Sequence, residues 1–203
     1  KILEKAIDLY RKGELDSHPI NQYIDSYFAS GTMGLFDAHL NNIVNESNRF
    51  HFLKSIHTIL YGTSSSNGRF AELLTQTCDY FNTKTQEDFI LDRTLFEAYM
   101  SKYSLFYTNY WVYRIFSDLI KIPDYEYIIN NFIYIAVEFC LIQTISLVAF
   151  ASNQELNHDE YILIISCVGR IMEHNTDFRK KLTQKLQEQN LINLAGLMLM
   201  ILI

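Results

Sequence analysis

Apolar side chains recur at helical spacing along nearly the whole of this 203-residue chain. The first residues show the pattern, since one face of a helix would carry Ile2, Leu3, Ala6, Ile7 and Tyr10. Residues that break helices are scarce, with only 7 Gly and 2 Pro. A sandwich or barrel needs a turn about every 8 to 12 residues, which this composition does not supply. The sequence therefore predicts an all-α fold.

The few breakers divide the pattern into a bundle of about nine or ten helices. Shorter helices are predicted near residues 2–10, 20–28, 36–44, 49–61 and 69–81, and longer ones at 87–121, 124–151, 157–172 and 175–189, with a final apolar helix after Asn190. Asn157 followed by Glu160 is the pattern of a capping box at the start of a helix. Short connections predict that the longer helices are antiparallel to their neighbours.

We expect residues 1–203 to form a single helical domain. This domain is either undivided or built from a shorter-helix subregion at 1–82 packed on a long-helix bundle at 87–203. The sequence begins at Lys1 without a methionine and ends in an apolar run, so we also expect it to be a fragment of a longer chain with a region upstream of Lys1.

The segment 127–150 has about the length that a membrane-spanning helix needs. Polar side chains interrupt it, namely Asn130, Asn131, Glu138 and Gln143. One ionised carboxylate near the middle of such a span costs about 3 kcal/mol in lipid. The segment is therefore predicted to be the central helix of a bundle, and the chain is not expected to be an integral membrane protein.

Charge and cysteine content exclude several classes of function. The formal charge is −6, with 17 Lys and Arg against 23 Asp and Glu, so no basic surface for nucleic acid is expected. Cys78, Cys140 and Cys167 lie far apart in the sequence and form no CxxC pair. Core-filling thiols are favoured over a disulfide framework, and no metal site is expected in this chain.

Helical spacing places a row of tyrosines and one arginine on a single face of the predicted helix 87–121. The row consists of Tyr99, Tyr103, Tyr107, Tyr110 and Arg114. It forms either one wall of a substrate groove or an aromatic core whose hydroxyls reach the surface. On the first interpretation, the rings stack on a substrate and the arginine holds a carboxylate.

A second cluster lies at the predicted end of helix 157–172. Arg170 and Glu173 are spaced to pair on one face, and His174 lies beside them in the last turn. Glu173 and His174 are candidates for accepting a proton from an amine substrate. The alternative is a structural helix end with Asn175 as the cap.

Glu138, which is the one acid of an apolar segment, is a further candidate. It is either a buried functional acid, or a side chain that faces the loop side or pairs with the hydroxyl of a neighbour.

Two stretches resemble the C-terminal half of the flagellin lysine-N-methylase family. They are NYWVYRIF at residues 109–116 and SCVGRIMEHN at 166–175, the second followed by Phe178. In that family an NY…YR.F stretch and an R..EHN..F stretch flank an apolar helical segment, and the resemblance here covers residues 93–194. The matched family positions are Asn109, Tyr110, Arg114, Arg170, Glu173, His174 and Asn175.

The resemblance implies methyl transfer from S-adenosylmethionine to lysine side chains of flagellin, the motility filament protein, in the cytoplasm. Family members also carry a cysteine-rich N-terminal region associated with an iron–sulfur cluster or another metal, which this chain lacks. We therefore expect it to supply a substrate-binding or scaffold part and to be inactive alone. Its partners would be flagellin and the region upstream of Lys1. The alternative is a non-enzymatic helical domain for ligand binding, dimerisation or protein interaction.

Overall fold

A computed structural model describes residues 45–63, 68–119 and 125–201. These residues form only helices: α1 Glu46–Thr63, α2 Arg69–Thr83, α3 Gln86–Met100, a 3₁₀ turn at Ser101–Tyr103, α4 Ser104–Leu119, α5 Tyr125–Asn153, α6 His158–His174, α7 Thr176–Glu188 and α8 Leu194–Ile201. The all-α prediction is confirmed for this part of the chain. The helices predicted before residue 45 lie outside the described residues.

Helix α5 is the centre of the bundle. It packs against α2, α3, α4, α6 and α8. The segment Asn130–Asn153 is long and apolar enough to cross a membrane, and 72% of its apolar window is buried inside the protein. Core helices share this length and composition, so the predicted buried central helix is confirmed from Asn130 onward.

A continuous apolar core joins α5 to the helices around it. Helix α1 contributes Leu53, Ile56 and Leu60, each fully buried, and it also packs against α2, α3, α7 and α8. Burying one such side chain stabilises the fold by about 1.5–3 kcal/mol. The early helices of the described region therefore share one core with the late ones.

Capping side chains fix the ends of several helices. The predicted capping box of α6 is present, with Glu160 N donating to Asn157 Oδ1 at 2.9 Å and Asn157 N donating to Glu160 Oε2 at 3.2 Å. Asn175 ends α6 and begins α7, where its side chain accepts a hydrogen bond from Phe178 N at 2.9 Å. The predicted cap at Asn175 is confirmed.

The single helix predicted for residues 87–121 is wrong. The 3₁₀ turn at Ser101–Tyr103 divides it into α3 and α4, and the described residues do not match the expected nine or ten helices. At the break, the Lys102 ammonium lies 3.6 Å from the Tyr99 ring centroid. No Gly or Pro marks this position, so the sequence pattern gave no signal for it.

His57 of α1 is completely buried and makes no hydrogen bond from either ring nitrogen. Its ring stacks on Phe81 of α2 at a centroid distance of 5.8 Å. Burial lowers the pKa of His57 to about 3, because the interior disfavours the charged imidazolium. His57 therefore acts as a neutral core residue.

We predict that His57 makes the fold sensitive to acid. An unfolded His57 takes up a proton below its ordinary pKa of about 6.5, whereas the folded one stays neutral down to about 3. Stability is fully present above the ordinary pKa and falls as the pH drops, by about 3 kcal/mol near pH 4.5. The measurement is the free energy of unfolding in urea above about pH 6.5 and near pH 4.5. His57→Leu should remove this part of the difference between the two. His51→Gln, at an exposed position of the same helix, should leave it in place. A parallel loss in the wild type and His57→Leu would contradict the prediction.

Candidate functional site

An arginine and a glutamate form a buried ion pair between α4 and α5. Arg114 is 4% exposed and Glu138 is completely buried. Arg114 Nε donates to Glu138 Oε1 at 3.0 Å, and Nη2 donates to Oε2 at 2.7 Å. This two-bond geometry matches the planar guanidinium to the carboxylate and offsets part of the cost of burying both charges.

A tyrosine completes the hydrogen bonding of the buried carboxylate. The Tyr110 hydroxyl donates to Glu138 Oε1 at 2.5 Å. Burial raises the pKa of Tyr110 above its ordinary value, and the nearby Glu138 carboxylate raises it further. The hydroxyl therefore keeps its proton and acts as a donor. A Cβ at Gly169 of α6 would lie 3.4 Å from this hydroxyl, so a larger side chain there would crowd the pair.

The same arginine reaches a second carboxylate near the surface. Arg114 Nη1 lies 3.0 Å from Glu173 Oε1 at the end of α6. The other oxygen, Oε2, is 3.7 Å from Nε2 of His174, whose side chain is 75% exposed. We call Tyr110, Arg114, Glu138 and Glu173 the α4–α6 junction. It connects the interior of the bundle to the surface edge formed by Glu173 and His174.

The junction includes one member of the second cluster. The spacing allows Arg170 and Glu173 to pair on one face of α6, but Glu173 bonds Arg114 of α4 and Arg170 is exposed. The spacing allowed the pair within one helix, whereas the buried Arg114 offers a stronger, less hydrated partner. Of the other matched positions, Asn109 is exposed and Asn175 is the cap between α6 and α7.

The tyrosine row packs largely against α5 and α6. The Tyr99 hydroxyl donates to the Leu156 carbonyl at 2.8 Å. Tyr103 stacks on His158 at a centroid distance of 6.3 Å, and the Tyr107 hydroxyl is hydrogen-bonded to Gln143 Nε2. These contacts place the row at an interface between packed helices. The substrate-binding role of Tyr103, Tyr107, Tyr110 and Arg114 stays a prediction.

Sequence reasoning named Glu138 but did not pair it with Arg114. The signal was available, because a carboxylate in an apolar helix must find a cation or several donors when it is buried. Arg114 is the arginine of the tyrosine row on the preceding helix and was the natural partner. Gln143, which holds the Tyr107 hydroxyl, carried no comparable signal.

Metal ligands do not gather in the described part of the chain. No group of three or more His, Cys, Asp or Glu side chains there has a geometry that could hold a metal ion. Cys78 and Cys167 are half-buried, and burial raises the pKa of the buried Cys140 thiol to about 12. These cysteines are thiols rather than ready thiolate ligands.

The chain was compared with known families, curated proteins and solved structures. The model of the FliB lysine N-methylase C-terminal domain matches residues 1–200. The match includes both stretches, at 109–116 and 166–175, and extends over the first ninety residues, where the sequence resemblance found nothing. No curated protein and no solved structure matches the chain.

Three cavities lined by described residues lack what S-adenosylmethionine needs. A cofactor of this size needs a pocket of at least roughly 300 Å³ with apolar walls and a few placed polar groups. The cavity between α3, α4 and α5 is smaller, at about 220 Å³. The one of about 470 Å³ at the start of α6 has Leu163 as its only apolar side chain, and the one of about 310 Å³ beside Arg69 has no aromatic side chain for adenine.

We predict that the buried pair behaves as one unit in folding. Glu138→Leu deprives Arg114 of its two-bond partner and should lower the free energy of unfolding by about 3–5 kcal/mol. Arg114→Leu combined with Glu138→Leu should lose much less than the sum of the two single changes, because no charge is then left behind. Urea unfolding of the four proteins of this cycle measures the difference.

The exposed pair of Arg69 and Glu72, 2.9 Å apart, is the matched control for this cycle. Arg69→Ala should change the free energy of unfolding by about 0.5 kcal/mol or less, since water screens that pair. Losses at Arg114 and Glu138 that simply add would show that the two side chains do not act together.

Proposed function

The chain belongs to the family of the FliB lysine N-methylase C-terminal domain, and we propose that it is the substrate-binding and scaffold part of an enzyme that methylates lysines of flagellin. The family match over residues 1–200 is the observation that carries this proposal. The all-helical architecture of the described residues agrees with a scaffold. We further propose that the reaction takes place in the cytoplasm.

The α4–α6 junction supports a scaffold role. The two stretches that resemble the family meet there, because Tyr110 and Arg114 come from the first and Glu173 from the second. Tyr110 and Arg114 bond the Glu138 carboxylate of the central helix, and Glu173 bonds Arg114. Side chains bonded in this way hold α4, α5 and α6 in one register, and this register sets the position of Glu173 at the surface edge.

We propose the edge of Glu173 and His174 as the place where a proton is accepted. A lysine amine must lose its proton before it can attack a methyl donor. Arg114 holds one oxygen of Glu173, and the other lies within 3.7 Å of the His174 ring. The imidazole lies beside this carboxylate and is 75% exposed, so a lysine side chain can reach it from solvent.

S-adenosylmethionine is the methyl donor in this proposal, and it supplies an activated methyl group when bound. Because the described cavities do not suit it, we place its binding in the remaining parts of the enzyme. An iron–sulfur cluster or other metal, if the enzyme carries one, belongs with the same parts. The residues of this domain then bind, orient and deprotonate the substrate.

Substrate contact is proposed for the parts of the tyrosine row that reach the surface. Tyr103, Tyr107 and Tyr110 are half-buried, so part of each residue remains accessible to a partner. Arg114 is saturated by two carboxylates and acts by positioning them. A non-enzymatic ligand-binding, dimerisation or interaction domain was the alternative, and no contact in the described residues favours it over the family's enzymatic role.

We predict that His174→Gln lowers flagellin methylation without unfolding the enzyme. The side chain is largely exposed, so its loss should leave stability unchanged, whereas loss of a general base lowers the rate by about 100-fold or more. The measurement is mass spectrometry of flagellin lysines after co-expression with the full-length enzyme.

His51→Gln is the control, because His51 is an exposed histidine on α1. It should methylate flagellin as the unmodified enzyme does. Full methylation by His174→Gln would remove the proton-acceptor role and leave the scaffold role standing. Absence of methylation by the unmodified full-length enzyme would overturn the proposed function itself.

A further inference from the structure

Two tyrosine rings face one ammonium group where α3 ends. The ring centroids of Tyr99, in α3, and Tyr103, in the 3₁₀ turn, are 6.1 Å apart, and the ring planes are inclined at 51°. The ammonium of Lys102 lies over both rings, 3.6 Å from the Tyr99 centroid and 5.0 Å from the Tyr103 centroid. Both distances are within the roughly 6 Å over which an aromatic face attracts a cation. We call Tyr99 and Tyr103 the tyrosine pair.

The rest of the protein holds both rings in place. The Tyr99 hydroxyl donates to the Leu156 carbonyl at 2.8 Å and accepts from the Leu156 N–H at 3.2 Å. The Tyr99 ring packs on Phe150 at a centroid distance of 4.9 Å. The Tyr103 ring is stacked on His158. The tyrosine pair is therefore preorganised, and a ligand that binds there needs little further ordering of the protein.

The two rings are the recorded partners of the Lys102 ammonium. Within residues 45–63, 68–119 and 125–201, no carboxylate forms an ion pair with it. Lys102 is exposed and the tyrosine pair is half-buried, so the site is open to solvent. An ammonium that rests on two rings without an acid indicates that the rings themselves attract an alkylammonium group.

The presence of Lys102 restricts which cation can take its place. Because Lys102 belongs to the same turn as Tyr103, its ammonium is present at a high effective concentration. An unmodified lysine from another protein makes the same contact and gains nothing over it. A methylated lysine keeps the charge, but methyl groups replace its strongly hydrated N–H groups, and aromatic faces bind such cations well. The site therefore selects methylated lysine.

The tyrosine pair is separate from the edge of Glu173 and His174. Tyr103 stacks on His158 in the first turn of α6, whereas Glu173 lies in the last turn. An α-helix rises by about 22 Å between these two positions. An extended segment of about seven residues covers the same distance. One flagellin chain can therefore occupy both places at once.

We propose that the tyrosine pair is a binding site for methylated lysine side chains of flagellin, which displace Lys102 from the rings. This inference rests on the proposed function, because methylated lysine is the product of that reaction. Binding the product away from the edge of Glu173 and His174 keeps a modified segment on the enzyme while further lysines of the same flagellin are presented. Lys102 covers the rings when no methylated lysine is bound.

The test compares three forms of monomeric flagellin. One is unmodified, one is dimethylated at its lysines by formaldehyde and borohydride, and one is acetylated. Dimethylation keeps the charge of a lysine, whereas acetylation removes it. In isothermal titration with the full-length enzyme, the dimethylated form should bind about two- to fivefold more tightly than the unmodified one, as one exposed cation–π contact provides. Acetylated flagellin that binds as tightly as the dimethylated form would overturn a cation site.

Variants of Tyr103 assign this preference to the rings. Tyr103→Leu should abolish the preference for dimethylated flagellin, whereas Tyr103→Phe keeps an aromatic face and should retain most of it. Tyr113→Leu is the control, because Tyr113 is 64% exposed on α4 and lies outside the tyrosine pair. It should bind all three forms as the unmodified enzyme does. A folded Tyr103→Leu enzyme that still prefers dimethylated flagellin would overturn the proposal.

Lys102→Ala tests the site with both rings left in place. Removing the internal competitor should tighten the binding of dimethylated flagellin by about twofold or more. Lys181→Ala is its control, because it removes the same charge from an exposed position on α7 and should leave the affinity unchanged. Equal affinity of the Lys102→Ala and unmodified enzymes for dimethylated flagellin would contradict displacement of Lys102.

The two proposals fail in different ways. If the unmodified enzyme methylates flagellin but binds the dimethylated and unmodified forms equally, the tyrosine-pair proposal is overturned and the proposed function stands. If the unmodified enzyme leaves flagellin unmethylated, the proposed function is overturned, and flagellin is removed with it as the source of the methylated lysine.

Discussion

The buried carboxylate of Glu138 is the constraint on which the arrangement of the later helices depends. A lone ionised group in the interior costs several kcal/mol, so the helix that carries it tolerates it only if matching donors arrive from its neighbours. Arg114 and Tyr110 supply those donors from α4. Because their hydrogen bonds are directional, α4 can lie against α5 in one register only, which apolar packing alone would not specify.

Most of the stability of the fold comes from apolar burial and not from this ion pair. Helix α5 is surrounded by five other helices and buries an almost continuous apolar surface, and α1 adds fully buried leucine and isoleucine side chains to the same core. Buried ion pairs contribute little net stability in general, so the main effect of the α4–α6 junction is to fix the relative positions of α4, α5 and α6. This division explains why Glu173, at the outer end of the junction, is held by Arg114 without being buried itself.

Helix α4 links a cavity of the bundle to the α4–α6 junction. Ser104 and Tyr107 line the cavity between α3 and α5, whereas Tyr110 and Arg114 belong to the junction. The ten residues from Ser104 to Arg114 rise by about 15 Å along a helix, so one rigid element holds the two features at a fixed separation.

The sequence by itself determined the helical class, the central helix, the two family stretches, and the caps at Asn157 and Asn175. These features depend on local spacing and on short-range hydrogen bonds, which the order of residues contains directly. Only the tertiary structure decided that Glu173 bonds Arg114 rather than Arg170, that the helix predicted before α5 is divided, and that a pocket opens between α3 and α5. Each depends on which helices pack together and on their relative positions along the helix axes. That information arises from packing between residues distant in sequence, so no local pattern can express it.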